Sequence, residues 1–185
     1  REPQRQVERG ARPRARAQNE TRVFEHARRA PPRRRALHLF SGAKGRVDGL
    51  AAKLVAAGWD VDEMDAGLES HAGPSEPGDD LLDDSVFLGV LSNAHAGRWQ
   101  AIVAGVPCST FSKARWRPGG PPVVRRRPNE VRGLSQPPAG HEMEAARANE
   151  LAGRACMIAA AVHGAGGAYV IENPVDYGDS ELTKA

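Results

Sequence analysis

The feature that most constrains the fold of this chain is an alternation of short apolar runs with longer stretches of helical periodicity. Three apolar runs are predicted strands, at residues 36–40, 99–104 and 168–171, and residues 59–64, where Trp59 and Val61 alternate with acids, are predicted to be a further strand. Three stretches between them place apolar residues at helical spacing, at residues 47–57, 80–96 and 141–163. Strands that alternate with helices favour an α/β fold with a parallel sheet and helices on both of its faces.

The formal net charge of +3 is the sum of two segments of opposite sign. Residues 1–35 contain twelve Arg, four Glu and few large apolar side chains, which predicts a disordered, Arg-rich tail. This segment is interpreted either as a solvated tail or as a basic arm that binds nucleic acid without sequence preference. Residues 36–185 carry a net charge of −5 and form the predicted folded domain.

Composition excludes several classes of protein. No apolar run approaches the roughly 18 residues that a membrane-spanning helix needs, so we expect no membrane partner. The two cysteines, Cys108 and Cys156, disfavour a disulfide framework. The six histidines show no metal-ligand spacing, and we therefore expect no metal site.

Ligands of parallel sheets bind beyond the carboxyl ends of the strands, so the residues that follow each predicted strand are the candidates. Residues 40–45 read Phe-Ser-Gly-Ala-Lys-Gly, a turn that lets a ligand approach the backbone closely. Glu63 or Asp65 follows the second strand, where a carboxylate commonly binds ribose hydroxyls and where a solvated acidic turn is equally compatible. Asp80 begins the next predicted helix and equally suits an N-cap.

The third and fourth strands end in residues with the chemistry of a nucleophile and an acid. Cys108 follows Pro107 after the third strand, among hydroxyl and basic residues that suit a reactive thiol. An isolated cysteine is more often a small buried apolar side chain. Glu172 follows the fourth strand, so the sequence predicts a nucleophile–acid pair at neighbouring strand ends.

A long segment rich in Pro, Gly and Arg, residues 112–140, has no periodicity and is predicted to be a loop, which we call the basic loop. Arginine side chains there suit phosphate contacts, and a tryptophan between two arginines suits stacking on a base. A solvated loop, or a tryptophan that covers the core, is the alternative interpretation. The candidate nucleic-acid-binding residues are Arg115, Trp116, Arg117, Arg125, Arg126 and Arg127.

These motifs together resemble the cytosine-5 DNA methyltransferases, which use S-adenosylmethionine. Residues 39–45 are similar to the first motif of that family, and residues 171–174 read Ile-Glu-Asn-Pro, similar to its Glu-Asn-Val motif. Residues 107–115 match the Pro-Cys-x-Thr-Phe-Ser-x-Ala-Arg signature of small, divergent phage, viral and algal members. The resemblance implies a Rossmann-like, doubly wound, mostly parallel sheet of the S-adenosylmethionine-dependent methyltransferase type.

The resemblance also implies roles for single residues. Cys108 would attack carbon 6 of cytosine, and Glu172 would hold the base. The residues implied to bind S-adenosylmethionine are Phe40, Ser41, Gly42, Gly45, Glu63, Asp65, Asp80 and Pro107. The implied partner is DNA, with RNA as the alternative, and the target base must leave its duplex or be presented single-stranded. With DNA as substrate we expect the protein in the nucleus or nucleoid, and otherwise inside the cell.

Departures from the family pattern keep other interpretations open. Lys44 and Val106 replace a usual Gly and Pro, Ser109 and Thr110 replace Gln-Gly, and Pro174 replaces Val. A later Gln-Arg-Arg-like motif, a target-recognition domain and a closing helix are not found, so we expect the catalytic domain at residues 36–185 to be incomplete at its C-terminus. One alternative is an inactive nucleic-acid-binding module of the same fold. A nicotinamide-dependent oxidoreductase is disfavoured, because the turn lacks Gly-x-Gly-x-x-Gly spacing.

Overall fold

The computed structural model of the chain describes residues 34–65, 79–126 and 130–172. All of these residues belong to one compact unit. The predicted tail up to residue 33 and residues 66–78 lie outside the described residues. Arg127, Asn173 and Pro174 lie outside them as well.

Four parallel strands form one sheet in the order β2-β1-β3-β4. The strands are β1 (Arg35–Leu39), β2 (Asp60–Met64), β3 (Ala101–Gly105) and β4 (Ala168–Glu172). Each lies within two residues of its predicted position, so the predicted α/β fold with a parallel sheet is confirmed. The sheet begins before residue 36, because Asp60 N–H donates to the Arg34 carbonyl at 2.9 Å and Gln100 N–H donates to that of Arg35 at 2.9 Å.

Three helices connect the strands. They are α1 (Leu50–Ala56), α2 (Asp84–His95) and α3 (Glu144–Gly164). Helix α1 begins three residues later than predicted, and Val47, the first apolar residue of the predicted helix, is 93% exposed. None of the described helices is long and apolar enough to cross a membrane.

The start of α2 corrects the prediction that Asp80 caps this helix. Asp83 is the N-cap, because its Oδ1 accepts the N–H groups of Ser85 at 2.7 Å and Val86 at 3.3 Å. The Asp80 carboxylate instead accepts the N–H of Leu82 at 2.8 Å, in the turn that precedes the helix. Both aspartates suit a cap, and the position where the helix begins selects Asp83.

The main apolar core lies between α2, α3 and one face of the sheet. Successive strand residues point to opposite faces, so Leu37 and Leu39 of β1 enter this core with Ile102 of β3 and Ile158 of α3. All four side chains are at most 1% exposed. Ala36 and His38 therefore point to the opposite face, where α1 packs against β2.

Small residues let α3 return closely to the sheet. Helix α3 buries alanines, among them Ala155 and Ala159. A Cβ at Gly167, where the chain enters β4, would lie 2.6 Å from the Val162 Cγ1 and 3.0 Å from its carbonyl oxygen. Glycine is therefore required there by close backbone approach, and it sets where β4 joins the edge of β3.

Leu37→Ala is expected to lower the free energy of unfolding by about 3 kcal/mol, because it leaves a cavity between β1 and the two packed helices. Leu88→Ala on α2, where the side chain is 59% exposed, is the matched control and should change stability by less than about 0.5 kcal/mol. Denaturant unfolding followed by circular dichroism measures both. Equal losses in the two variants would show that the core does not lie on this face.

Candidate functional site

The carboxyl ends of all four strands meet along one edge of the sheet, because the sheet is entirely parallel. The register pairs Leu39 with Met64 on one side of β1 and with Ala104 on the other. It also pairs Gly105 with Glu172. The residues after β1, β2 and β3 and the last residue of β4 are thus brought to one edge, as the sequence predicts.

The glycine turn, residues 40–45, leaves β1 in a left-handed conformation. Phe40 has φ 58°, which is uncommon for a residue with a side chain, and its N–H donates to the Met64 carbonyl at 2.7 Å. Gly42 and Gly45 both have φ 74°, which glycine adopts without strain. Ser41, also in this turn, is half-buried.

Two carboxylates from the end of β2 hold the glycine turn. Asp65 Oδ2 accepts the Gly42 N–H at 2.6 Å, and Glu63 Oε2 accepts the Gly45 N–H at 3.5 Å. Both acids predicted at this position therefore lie against the turn, and each contacts a different glycine. The arrangement gives the edge of the sheet a fixed pair of half-buried hydrogen-bond acceptors.

Asp79 is a site residue that sequence reasoning missed. Its Oδ2 lies 2.6 Å from the Lys44 ammonium and accepts the Asp65 N–H at 3.4 Å. The side chain is 11% exposed, so it joins the glycine turn to the segment before α2. The carboxylate of Asp80, its neighbour, accepts the N–H of Leu82. Two adjacent aspartates give no sequence signal that tells these roles apart.

His38 lies beneath this edge, on the face of the sheet that α1 partly covers. Its register partners are Glu63 on β2 and Val103 on β3. The side chain is 9% exposed, and Nδ1 has no hydrogen-bond partner among the described residues. Burial lowers the pKa of His38 below its ordinary value of 6.5, although the charges of Glu63 and Asp65 act in the opposite direction.

The segment that follows β3 forms a tight turn, residues 108–112, which we call the Cys108 turn. The Cys108 carbonyl accepts the N–H groups of Phe111 at 2.9 Å and Ser112 at 2.8 Å. The Cys108 side chain is exposed, and Pro107 is half-buried. Glu172, at the end of the neighbouring strand, is exposed too. A nucleophile and an acid here would both be accessible to a ligand.

Arg115 does not face solvent as the prediction of a nucleic-acid contact requires. It is 9% exposed, its Nε donates to the Ser109 carbonyl at 2.8 Å, and Nη1 donates to that of Pro122 at 2.5 Å. Nη2 binds the Glu144 carboxylate. These bonds tie the Cys108 turn to the basic loop and to α3, so Arg115 has a structural role in this conformation.

Arg125 is buried in the same way, at 8% exposed, with its guanidinium carbon 3.9 Å from the centre of the Phe111 ring. It donates to Thr110 Oγ1 at 3.1 Å and to Asn149 Oδ1 at 2.8 Å. Burial lowers the pKa of Arg125, and the charge of Arg115 adds to this effect. The prediction that Arg125 contacts nucleic acid is therefore replaced by an internal role.

The outer residues of the basic loop keep the predicted exposure. Arg117 and Arg126 are exposed, and Trp116 is half-buried at the end of a short 3-10 helix, Lys113–Trp116. These three side chains remain available for phosphate or base contacts, and Arg132 of the same loop is exposed as well. The loop is thus divided into inner arginines that hold it and outer arginines that reach solvent.

Polar residues at the start of α3 complete the support of the Cys108 turn. Glu144 binds Arg115 and accepts from His141 Nδ1 at 2.5 Å. Burial opposes ionisation of Glu144, but the hydrogen bonds from His141 and Arg115 outweigh it and hold its pKa below the usual value. Asn149 follows Ala145 by four residues on the buried side of α3, and this spacing is the signal that could have identified it.

No family model matches this chain, and neither curated proteins nor solved structures yield a match. Among the described residues, no group of three or more His, Cys, Asp or Glu side chains could hold a metal ion. The candidate site therefore rests on the residues at the carboxyl edge of the sheet and on their geometry.

The free energy of unfolding is expected to rise with pH up to about 6.5 and then to level off, because below that pH the unfolded chain protonates His38 more readily than the folded chain. The slope from one such proton is at most about 1.4 kcal/mol per pH unit. His38→Leu should remove this part of the slope in denaturant unfolding. His95→Gln, at an exposed residue near the end of α2, should keep it. The same slope in both variants would contradict the role given to His38.

Proposed function

We propose that this chain is an S-adenosylmethionine-dependent methyltransferase that acts on carbon 5 of cytosine in DNA. One observation carries the proposal: the parallel sheet brings the glycine turn with its two acids, the Cys108 turn and Glu172 to the same edge. In the order of the strands, the glycine turn and its two acids lie at the ends of β1 and β2, and Cys108 and Glu172 lie at the ends of β3 and β4. A cofactor and a base could therefore meet between β1 and β3.

The chemistry of the glycine turn fits S-adenosylmethionine. A Cβ built on Gly45 would meet nothing within 4 Å, and one on Gly42 would meet its nearest atom at 3.9 Å, so there is open space beside the turn. Glu63 and Asp65 are half-buried acceptors next to it, suited to ribose hydroxyls. When bound, the cofactor supplies a methyl group that is already activated on a sulfonium sulfur.

Cys108 and Glu172 supply the chemistry on the base. Carbon 5 of cytosine is a poor nucleophile, and addition of the Cys108 sulfur to carbon 6 makes it an enamine carbon. Glu172 hydrogen-bonds N3 and the amino group and supplies a proton to N3 as negative charge builds there. After carbon 5 has gained the methyl group, its proton leaves to water. The carbon–sulfur bond then breaks, and the sulfur departs as thiolate while N3 returns its proton to Glu172.

The exposure of both side chains suits a base that is presented outside its duplex. Cys108 and Glu172 are each exposed at the carboxyl edge, so an extruded or single-stranded cytosine could reach them. Arg117 and Arg126 on the exposed part of the basic loop would hold the neighbouring phosphates. Trp116 directly precedes Arg117 in the sequence and is half-buried. One face of its ring could stack on a base.

A second candidate function, a nucleic-acid-binding module without catalysis, is favoured by the state of the glycine turn. The N–H groups of Gly42 and Gly45 already bind Asp65 and Glu63. Lys44, which stands where the methyltransferases usually have glycine, lies 2.6 Å from Asp79. In this reading these internal bonds replace the contacts that a cofactor would make.

Cys108→Ser should lower methyl transfer to cytosine-containing oligonucleotides at least about a hundredfold, because a serine hydroxyl is a far weaker nucleophile toward carbon 6. Transfer is measured with a tritiated methyl donor on DNA and RNA strands of the same sequence. Cys156→Ser, at the exposed second cysteine on α3, is the control and should keep the rate of the wild type. Undiminished transfer by Cys108→Ser contradicts the mechanism, and a faster reaction on RNA changes the substrate. Oligonucleotide binding with no transfer by the wild type supports the binding module.

Removal of the outer arginines should weaken oligonucleotide binding and its dependence on salt. Each phosphate contact contributes about 0.9 to the slope of log affinity against log salt concentration on duplex DNA. Arg117→Ala and Arg126→Ala are therefore each expected to reduce that slope by about one in fluorescence anisotropy titrations. Arg98→Ala, in the segment that enters the amino end of β3, is the matched exposed control. An unchanged slope in both loop variants would exclude these phosphate contacts.

A further inference from the structure

We propose that Arg125 is a positioning residue that holds the Cys108 turn in its reactive conformation, an inference that rests on the proposed function. Arg125 lies 17 residues after Cys108 in the sequence, inside the basic loop, where the sequence predicts an exposed arginine. Instead its guanidinium is buried and occupies the junction between the Cys108 turn, the basic loop and α3. Four hydrogen bonds and one ring contact carry this assignment.

The hydrogen bonds of Arg125 join three separate parts of the chain. Nη2 donates to Thr110 Oγ1 in the Cys108 turn at 3.1 Å. Nη1 donates to the Val131 carbonyl in the basic loop at 2.5 Å. The remaining bonds reach α3, through Asn149 Oδ1 at 2.8 Å and the Ala145 carbonyl at 3.2 Å. A change in the position of any one part must therefore disturb the other two.

The Phe111 ring adds a fifth contact on the Cys108 turn itself. It lies under the Arg125 guanidinium at 3.9 Å, which is within the range of a cation–π interaction. The Phe111 N–H donates to the Cys108 carbonyl at 2.9 Å, so the ring that Arg125 holds belongs to the residue that closes the turn. Arg125 thus contacts two of the four residues that follow Cys108.

A buried guanidinium is costly, and the site compensates for it only in part. The four acceptors are neutral oxygen atoms, and Nε is buried without a hydrogen-bond partner among the described residues. The charge of Arg115 nearby acts against that of Arg125. If the position required packing alone, an apolar side chain of similar volume would give a folded state of equal or greater stability. The planar fork of arginine carries five donors in fixed directions and can meet four acceptors at once, whereas the ammonium of lysine carries three.

Asn149 extends the same support into the basic loop. Its Oδ1 accepts from Arg125, and its Nδ2 donates to the Arg132 carbonyl at 2.6 Å. The first turns of α3 therefore hold both ends of the segment between Arg125 and Arg132. Because α3 packs against the sheet, Arg125 anchors the Cys108 turn to a rigid helix rather than to a loop.

The test compares Arg125→Lys and Thr110→Val with Arg154→Lys. Arg154 on α3 is a matched control, because its guanidinium also makes several hydrogen bonds and lies 4.7 Å from the centre of the Phe87 ring. Its contacts reach α2 instead of the Cys108 turn. Thr110→Val keeps the arginine and removes its hydroxyl acceptor in the Cys108 turn, so the test does not depend on whether Arg125→Lys folds. Each variant is measured for kcat, for KM of the cofactor and for amide hydrogen exchange.

Arg125→Lys and Thr110→Val are expected to lower kcat at least about tenfold with KM for the cofactor nearly unchanged, since the glycine turn is not altered. Amide exchange of residues 109–112 should become at least about tenfold faster, while exchange in the strands stays as in the wild type. Arg154→Lys should keep kcat and the exchange of this turn. Methylguanidinium added to Arg125→Ala should restore part of kcat.

Two results would overturn the assignment. If Arg125→Lys and Arg154→Lys lose kcat in parallel and exchange faster throughout the domain, Arg125 acts through global stability alone. If residues 109–112 exchange at the wild-type rate in Thr110→Val and Arg125→Lys, the arginine does not hold the turn. Absence of methyl transfer by the wild type is a different failure, because it overturns the proposed function, and the exchange rates then decide separately whether Arg125 holds the turn.

Discussion

Backbone pairing of β1 with strands on both of its sides is the interaction on which the rest of the structure depends. Its central position gives Leu37 and Leu39 to the core and His38 to the opposite face. A slip of one residue would exchange the two faces and place the imidazole among apolar side chains. The burial of two leucines on one face therefore fixes the register, and the register fixes which residues reach the carboxyl edge.

A polar network, in addition to the apolar core, orders the segment that follows β3. Arg115 and Arg125 donate hydrogen bonds to carbonyl, hydroxyl and carboxylate oxygens of the irregular backbone and of the side chains around it. Buried polar groups of a loop must find partners, and two guanidinium groups supply many donors in little space. This network also changes the charge of the surface, because the two buried guanidinium groups do not contribute to the positive charge that the loop presents to solvent. The described surface of the loop presents fewer cations than the sequence suggests.

The strands could be predicted from the sequence, because three of them are short apolar runs and β2 alternates a valine with acidic residues. The candidate residues at their carboxyl ends follow from the parallel order. The start of α1 could not, since Val47 continues the helical spacing but stays in solvent at 93% exposed. Asp80 and Asp83 both suit an N-cap, and the geometry of the turn decides between them. The burial of Arg125 depends on acceptors as far away as Asn149, which no local pattern indicates.

The internal bonds of the glycine turn do not by themselves oppose a ligand there. A carboxylate offers about four acceptor positions, so Glu63 can keep its bond to Gly45 and accept from a hydroxyl as well. Acids held in place before binding also lose less conformational freedom when a ligand arrives. Lys44 is 44% exposed and Asp79 is 11% exposed, so their ion pair is open to solvent on the lysine side only. The left-handed turn itself must persist, because its loss would displace both acids from the edge of the sheet.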